Sequence, residues 1–212
     1  MGLLRRGFLY SKNTMKVHIT GPNGYLARKL QERNDWEWTT GDEYDIMLLC
    51  GSPTHASEET IPLDEGKVYH KYVIDTIQMM EKIPQEVPIV FISTSDPDMI
   101  DIEHEGSTTY NLAKMFLESY IVHYRKHYQI HRMGTLISHR LDDIKMMKPD
   151  RIQQRILARD YSEVMDEDWF VYTDVAVDIL INAMGMINND IVHYPDERLT
   201  KIELLKLTTV VR

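Results

Sequence analysis

A short strand that breaks into glycines and reopens as a helix constrains this chain more than any other feature. Residues 15–20 read MKVHIT, and residues 21–30 read GPNGYLARKL. In the spacing G-x-x-G-x-x-A, Gly21 allows a tight bend, Gly24 lets a pyrophosphate approach the backbone, and Ala27 lets helix and strand pack closely. This order predicts a phosphate-binding turn. A glycine turn without a ligand is the alternative interpretation.

Strand and helix patterns alternate along the rest of the chain. The run YDIMLLCG at 44–51 is almost continuously apolar, which is typical of a parallel strand buried on both faces. The alternation predicts an α/β fold with a mostly parallel sheet and helices on both faces. Further strands are predicted at 36–40, 87–95, 131–138, about 168–172 and at IVHYP, and helices at about 24–33, 66–83, 108–128, 150–158 and 173–184. A closing helix is predicted in LTKIELLKLTTVV, capped by Thr200 with Glu203 three residues later.

One helical turn separates a tyrosine from a lysine in the run STTYNLAKMFLESY. A four-residue step places Tyr110 and Lys114 on nearly the same helix face. An ammonium close to a phenol favours the phenolate, so the pair has the parts of a proton-transfer device. Y-x-x-x-K alone is a weak signal, and its meaning depends on the glycine turn that precedes it.

Composition narrows the classes of function. The 212-residue chain carries a formal net charge of −9, which argues against nucleic acid as a main partner. The single cysteine, Cys50, excludes a disulfide framework and favours a reducing, cytoplasmic location. No apolar run approaches the ~20 residues that span a bilayer, and no secretory signal is expected in residues 1–14. We interpret those residues as an extension that could dock on a protein partner through Leu3, Leu4, Phe8 and Leu9.

No metal site is predicted. His123, His127 and His131 repeat every four residues, a spacing that can bind zinc on a helix. The run HYRKHYQIHR is basic and lacks a metalloprotease motif, so it is interpreted as a solvated helix end.

Seven segments, in order, resemble the extended short-chain dehydrogenase/reductases, the NAD-dependent epimerase/dehydratase family. That resemblance implies a Rossmann-like dinucleotide-binding domain at 15–138 and a reduced substrate lobe with returning sheet elements at 139–212. The matching segments are ITGPNGYLARKL, YDIMLLCGSP, VFISTS, YNLAK, IHRMGTLI, DWFVYTDVAVDILINAM and LTKIELLKL.

The resemblance also implies roles for individual residues. Tyr110 would be the acid–base, and Lys114 would hold the nicotinamide ribose and favour the Tyr110 phenolate. Thr94 would hydrogen-bond the reacting oxygen, with Ser95 as the next candidate. NAD or NADP would contact Gly21, Asn23, Gly24, Tyr25 and Leu26 along the pyrophosphate, Cys50, Gly51 and Ser52 on the adenosine side, and Ser93, Tyr110 and Lys114 at the nicotinamide end.

The sequence departs from the family pattern before the second long strand. Only about 18 residues separate Ala27 from Asp45, too few for the usual strand, helix and further strand. The acid that binds the ribose 2′-hydroxyl is expected about 20 residues beyond the glycines, and Asp42 is its nearest candidate.

Two functions stay open at this point. The first is an NAD(P)-dependent epimerase, dehydratase or reductase that acts on a sugar nucleotide or a similar hydroxyl or keto substrate. The second is a reduced family member that serves as a non-catalytic binding, regulatory or structural assembly protein. By resemblance, a homodimer would form through the helices at 66–83 and 108–128.

Overall fold

The computed structural model describes residues 8–9, 15–51, 65–94, 105–147, 152–159, 167–193 and 197–210. In these ranges the strands are β1 (Phe8–Leu9), β2 (Lys16–Ile19), β3 (Glu37–Thr39), β4 (Ile46–Leu49), β5 (Ile89–Thr94), β6 (Tyr128–Met133), β7 (Thr135–Ile137), β8 (Glu167–Tyr172), β9 (Met186–Ile187), β10 (Asp190–His193) and β11 (Glu197–Thr200). The helices are α1 (Tyr25–Gln31), α2 (Glu65–Lys82), α3 (Glu105–Tyr124), α4 (Leu141–Met146), α5 (Ile152–Leu157), α6 (Thr173–Met184) and α7 (Lys201–Val210).

The main sheet has six parallel strands in the order β10-β6-β5-β4-β2-β3. The chain leaves β2 for β3 on one side and then adds β4 on the other side, so the strand order reverses at β2. Ligands of open parallel sheets bind in the crevice at such a reversal, outside the carboxyl ends of the strands. The predicted α/β fold with a mostly parallel sheet is confirmed.

Two apolar layers cover the two faces of this sheet. One layer contains α1 and α6, and includes Val17, Ile19, Leu30 and Leu180 in its buried core. The other contains α2 and α3, which pack against Phe91 and its neighbours. All four residues of β4 are buried, as its continuous apolar run predicts.

A short segment replaces a helix between β3 and β4. Residues 40–45 pass over β2, where the His18 ring lies 4.9 Å from the Tyr44 ring and His18 Nδ1 lies 2.9 Å from the Gly41 carbonyl oxygen. The backbone amide of Lys16 then donates to the Asp45 carboxylate at 2.9 Å. In the described ranges, β3 is therefore the edge strand of the main sheet, and the sheet is narrow on this side.

A second sheet of three strands, in the order β11-β8-β7, forms a smaller layer with α5 and α7. The strand predicted at 131–138 is in fact two strands, because the chain leaves the main sheet after Met133 and joins β8 from Thr135 onward. The closing helix begins at Lys201, directly after Thr200, the residue predicted to cap it, and Thr200 also pairs with Glu167 as the last residue of β11.

Two further observations concern the end of the helix that carries Tyr110 and Lys114, and the N-terminal extension. Helix α3 ends at Tyr124 because β6 already begins at Tyr128, and His131 is buried in β6 rather than solvated on a helix end. Phe8 and Leu9 pair antiparallel with Ile187 and Met186 of the same chain. Within the described ranges, no helix combines the length and the apolar character that crossing a membrane requires.

Candidate active site

The glycine turn after β2 lies directly against the turn after β4. Gly21 has φ +61°, in the left-handed region, and a Cβ placed on it would lie 2.8 Å from Gly51 Cα. The Thr20 hydroxyl oxygen accepts hydrogen bonds from the backbone amides of Cys50 and Gly51, both at 3.0 Å. Thr20 therefore joins the two turns, a role that no spacing in the sequence indicated.

The turn is open toward solvent and leads straight into α1. Gly21, Asn23 and Gly24 are exposed, and the Gly24 amide donates to the Gly21 carbonyl at 2.9 Å. Leu26 is 7% exposed and packs in the core, so only its backbone could face a ligand at the turn.

Tyr25 links the turn to the start of α6. Its hydroxyl donates to Thr173 Oγ1 at 3.1 Å, and the Thr173 hydroxyl donates to the Ile137 carbonyl at 2.9 Å. Burial raises the pKa of Tyr25, so its phenol stays protonated and available as a donor. The predicted cofactor residue Tyr25 thus directs its side chain toward the second sheet.

Tyr110 and Lys114 are brought together on α3. The Lys114 side chain is 3% exposed, and its ammonium lies 5.6 Å from the centre of the Tyr110 ring and 4.7 Å from that of Phe91. It donates to the Ile92 carbonyl at 2.8 Å and, more weakly, to the Tyr72 hydroxyl at 3.4 Å. Burial lowers the pKa of Lys114, but Tyr110 and Tyr72 offset this and leave the pKa raised, so the ammonium is charged at neutral pH.

The carboxyl end of β5 carries two of the predicted hydroxyl groups. Thr94 is its last residue and is partly exposed beside Met133. Ser93 is 3% exposed, and its hydroxyl has no hydrogen-bond partner among the described residues. Ser95, the next candidate for the catalytic hydroxyl, lies outside the described residues.

The end of β4 lies next to the same lysine. Burial raises the pKa of Cys50 to about 12, against a smaller opposite effect of Lys114, so the thiol is neutral and is not an activated nucleophile. Gly51 meets Gly21, as described above, and Ser52 lies outside the described residues.

Asp42 does not lie at this edge of the sheet. It lines a cavity of about 640 Å³ together with Lys16, Asp45, Lys82 and Pro84, residues that precede or begin the strands. The segment that follows β3 carries Asp42 back over β2 toward the amino ends. The interpretation of Asp42 as the acid that binds the ribose 2′-hydroxyl is therefore wrong, and Thr39 and Thr40 occupy the carboxyl end of β3.

A buried ion pair anchors the helix that carries Tyr110 and Lys114. Glu118, one turn beyond Lys114, accepts from Arg132 Nε at 3.1 Å and from a terminal guanidinium nitrogen at 2.6 Å, and both side chains are nearly buried. Arg132 belongs to β6, so this two-point contact sets α3 against the main sheet.

No protein-family model matches the sequence, and no curated protein matches it. Several solved structures do match. A UDP-glucose 4-epimerase from Thermotoga maritima aligns with 92% of this chain and 82% of its own, with 16% identity and a TM-score of 0.62. A dTDP-glucose 4,6-dehydratase from Streptomyces venezuelae, solved with NAD, aligns with 92% of this chain and 80% of its own, with 12% identity and a TM-score of 0.67.

An ADP-L-glycero-D-manno-heptose-6-epimerase from Helicobacter pylori aligns with 93% of this chain and 82% of its own, with 13% identity and a TM-score of 0.65. At these identities the likeness establishes the fold. The chain shares the Rossmann-like α/β fold of these solved epimerases and dehydratases, which confirms the resemblance seen in the sequence at the level of the fold.

Proposed function

We propose that this protein is an NAD(P)-dependent epimerase, dehydratase or reductase that acts on a sugar nucleotide or a similar hydroxyl or keto substrate. One observation carries the proposal. The buried Lys114 ammonium lies beside the Tyr110 ring, at the same carboxyl edge of the sheet as the open glycine turn. The solved enzymes of the same fold act on nucleotide sugars, which supports this class of substrate.

The residues at the turn fit the pyrophosphate of a dinucleotide. Gly21, Asn23 and Gly24 are exposed, and the left-handed Gly21 shapes the bend. Among the described residues, only the Gly21 carbonyl oxygen would lie within 4 Å of a Cβ placed on Gly24. On the adenosine side the fit is poorer, because β3 ends at Thr39, which Thr40 follows, and no described carboxylate has been placed at its carboxyl end. NAD and NADP are therefore both retained as candidates.

When bound, the nicotinamide would accept or return a hydride. Tyr110 would take the proton of the substrate hydroxyl as the hydride leaves its carbon, and would return that proton in the reverse step. Lys114 would stabilise the Tyr110 phenolate and hold the nicotinamide ribose. Thr94 would donate a hydrogen bond to the reacting oxygen and orient it toward Tyr110.

A homodimer is proposed through α2 and α3. These helices expose several large apolar side chains on the described surface, and exposed apolar patches of this kind are typical of protein–protein interfaces. The side chains are Ile74, Leu112, Phe116, Val122 and Tyr124, each at least 39% exposed. We also retain the division into a dinucleotide-binding domain at 15–138 and a substrate lobe at 139–212, and docking of residues 1–14 on a protein partner.

A specific observation favours the second function, a non-catalytic binding, regulatory or structural assembly protein. Asp42 lies at the opposite edge of the sheet from the glycine turn, and β3 has three residues. An adenosine site with so few residues is expected in a protein that has this fold and does not bind the cofactor.

Cofactor binding separates the two functions. The purified protein should be heated with NAD⁺, NADH, NADP⁺ or NADPH, because a ligand at 100 times its Kd stabilises a fold by about 2.7 kcal/mol. A rise in Tm with one pair supports the enzyme. No rise with any of them at millimolar concentration would reject it in favour of the second function.

Tyr110→Phe then tests the chemistry. Removing the phenol hydroxyl should lower turnover of a nucleotide sugar at least ~100-fold, while the cofactor-induced rise in Tm stays. Tyr44→Phe is the matched control, since Tyr44 lies outside α2 and α3 and contacts His18. Full activity of Tyr110→Phe would disprove the acid–base assignment.

A further inference from the structure

A second tyrosine reaches the candidate site from a different helix. Tyr72 lies on α2 and is separated from Lys114 by 42 residues in the chain, yet its hydroxyl is 3.4 Å from Lys114 Nζ. The Lys114 ammonium also lies 5.7 Å from the centre of the Tyr72 ring, almost the same distance as from that of Tyr110. The ammonium is therefore flanked by two phenols, of which only Tyr110 was expected.

The contacts of Lys114 fix the orientation of its ammonium group. An ammonium has three N–H donors, and here one is directed at the Ile92 carbonyl and one at the Tyr72 hydroxyl. With its side chain buried among the Phe91, Tyr72 and Tyr110 rings, the ammonium has little freedom to move. No acceptor for the third donor lies among the residues that the structure describes.

We propose that Tyr72 is a positioning residue, whose hydroxyl acts with the Ile92 carbonyl to hold the Lys114 ammonium beside Tyr110. The inference rests on the proposed function for its catalytic meaning, because Tyr72 acts only through Lys114. Its geometric content, that the Tyr72 hydroxyl holds Lys114, can be tested without cofactor or substrate.

The groups around Lys114 determine what Tyr72→Phe should do. Burial lowers the pKa of Lys114, and Tyr110, Tyr72 and Cys50 all raise it. Tyr72→Phe keeps the ring and removes the hydroxyl, so it removes one of the groups that raise the pKa and leaves the effect of burial. Lys114 should consequently lose its proton at lower pH and become more reactive as an amine.

The test is a ¹³C–¹H NMR titration of lysine-labelled protein, with the Lys114 Cε signal assigned by its loss in Lys114→Met. In Tyr72→Phe the protonation equilibrium of Lys114 should shift roughly tenfold toward the neutral amine, the lower end of what one hydrogen bond to a charged group contributes. Tyr44→Phe is the control, because Tyr44 lies on the same face of the sheet and contacts His18 instead. Equal titrations in wild type, Tyr72→Phe and Tyr44→Phe would overturn the proposal.

Absence of NAD(P) binding to the wild type would reject the proposed function alone, because the titration does not use the cofactor.

Discussion

The two halves of the main sheet differ in how completely they are built. Strands β4, β5 and β6 are flanked by the long helices α2 and α3, and α3 carries Tyr110 and Lys114. Strands β2 and β3 form the other half, where residues 40–45 stand in place of a helix. The half that holds the Tyr110–Lys114 pair therefore has a rigid support, whereas the half that contains the glycine turn has only the short segment 40–45 between β3 and β4.

This contrast has a consequence for stability as well as for binding. A buried polar side chain contributes most where its partners are fixed by surrounding elements. The half built from β4, β5 and β6 holds such side chains, among them Arg125, Glu118 and His131. Substitutions there should disturb the whole fold, and those near residues 40–45 should act locally.

The largest effect is expected at Arg125. Its guanidinium donates to the carbonyls of Met80, Ile83, Pro84 and Val87 at 2.7–3.2 Å, and so ties the end of α2 to the loop before β5. Arg125→Met should lower the free energy of unfolding by about 3 kcal/mol, because it leaves these carbonyls without the cation. Urea denaturation measures the change.

Arg33→Met is the matched control for Arg125. The Arg33 side chain is 43% exposed and pairs with Asp35 and Asp178 at the surface, an arrangement worth less than about 1 kcal/mol. If the two substitutions lowered the free energy of unfolding equally, the two halves of the sheet would not differ in rigidity.

A decrease in the free energy of unfolding of similar size is expected at acidic pH, and its source is His131. His131 is fully buried in β6, and burial lowers its pKa to about 4. In the unfolded chain His131 becomes protonated below about pH 6.5, whereas in the folded protein it stays neutral until about pH 4. The free energy of unfolding therefore falls as the pH drops from about 6.5 to about 4. The fall should be up to about 3 kcal/mol, and none of it should occur above pH 7.

His131→Gln should flatten this acid dependence, measured as urea denaturation at intervals from pH 7 to pH 4. His70→Gln is the control, because His70 is exposed on α2. If wild type and His131→Gln lost stability in parallel on acidification, the buried neutral histidine would not be its source.

The smallest effect is expected at Asp42. Because this side chain lines the cavity at the amino edge of the sheet, Asp42→Asn should change the Kd of NAD(H) or NADP(H) by less than about twofold. Calorimetric titration gives the value. Gly21→Ala serves as the positive control, because its Cβ would lie 2.8 Å from Gly51 Cα and distort the turn. A tenfold weaker affinity in Asp42→Asn would mean that the adenosine side of the site uses this acid after all.

Much of the architecture was predictable from local patterns. The order of strand, glycine turn and helix at 15–30 appears where it was expected, and so do the buried strand at 46–49 and the helix that carries Tyr110 and Lys114. Each of these depends on the spacing of apolar side chains, on a continuous apolar run or on a glycine, and all of these signals act over a few residues. The catalytic roles of Thr94, Tyr110 and Lys114 remain predictions.

Other features were not predictable, because they depend on which elements meet. The division of 131–138 between two sheets has no local signal, since Met133 and Thr135 are equally suited to a strand and only their partners, β5 and β8, differ. Helix α4 was likewise not expected, and it lies over α1, where the Asp143 carboxylate accepts from Lys29 at 3.0 Å.

By itself, the sequence determined the alternation of strands and helices, the glycine turn and the shared face of Tyr110 and Lys114, because backbone geometry and side-chain period set these within one element. Only the tertiary structure decided that Asp42 lies at the amino edge of the sheet and that Tyr72 lies against Lys114. Both depend on the packing of segments that are far apart in the chain. The free energy of packing between two elements does not produce a periodic pattern in the sequence of either element.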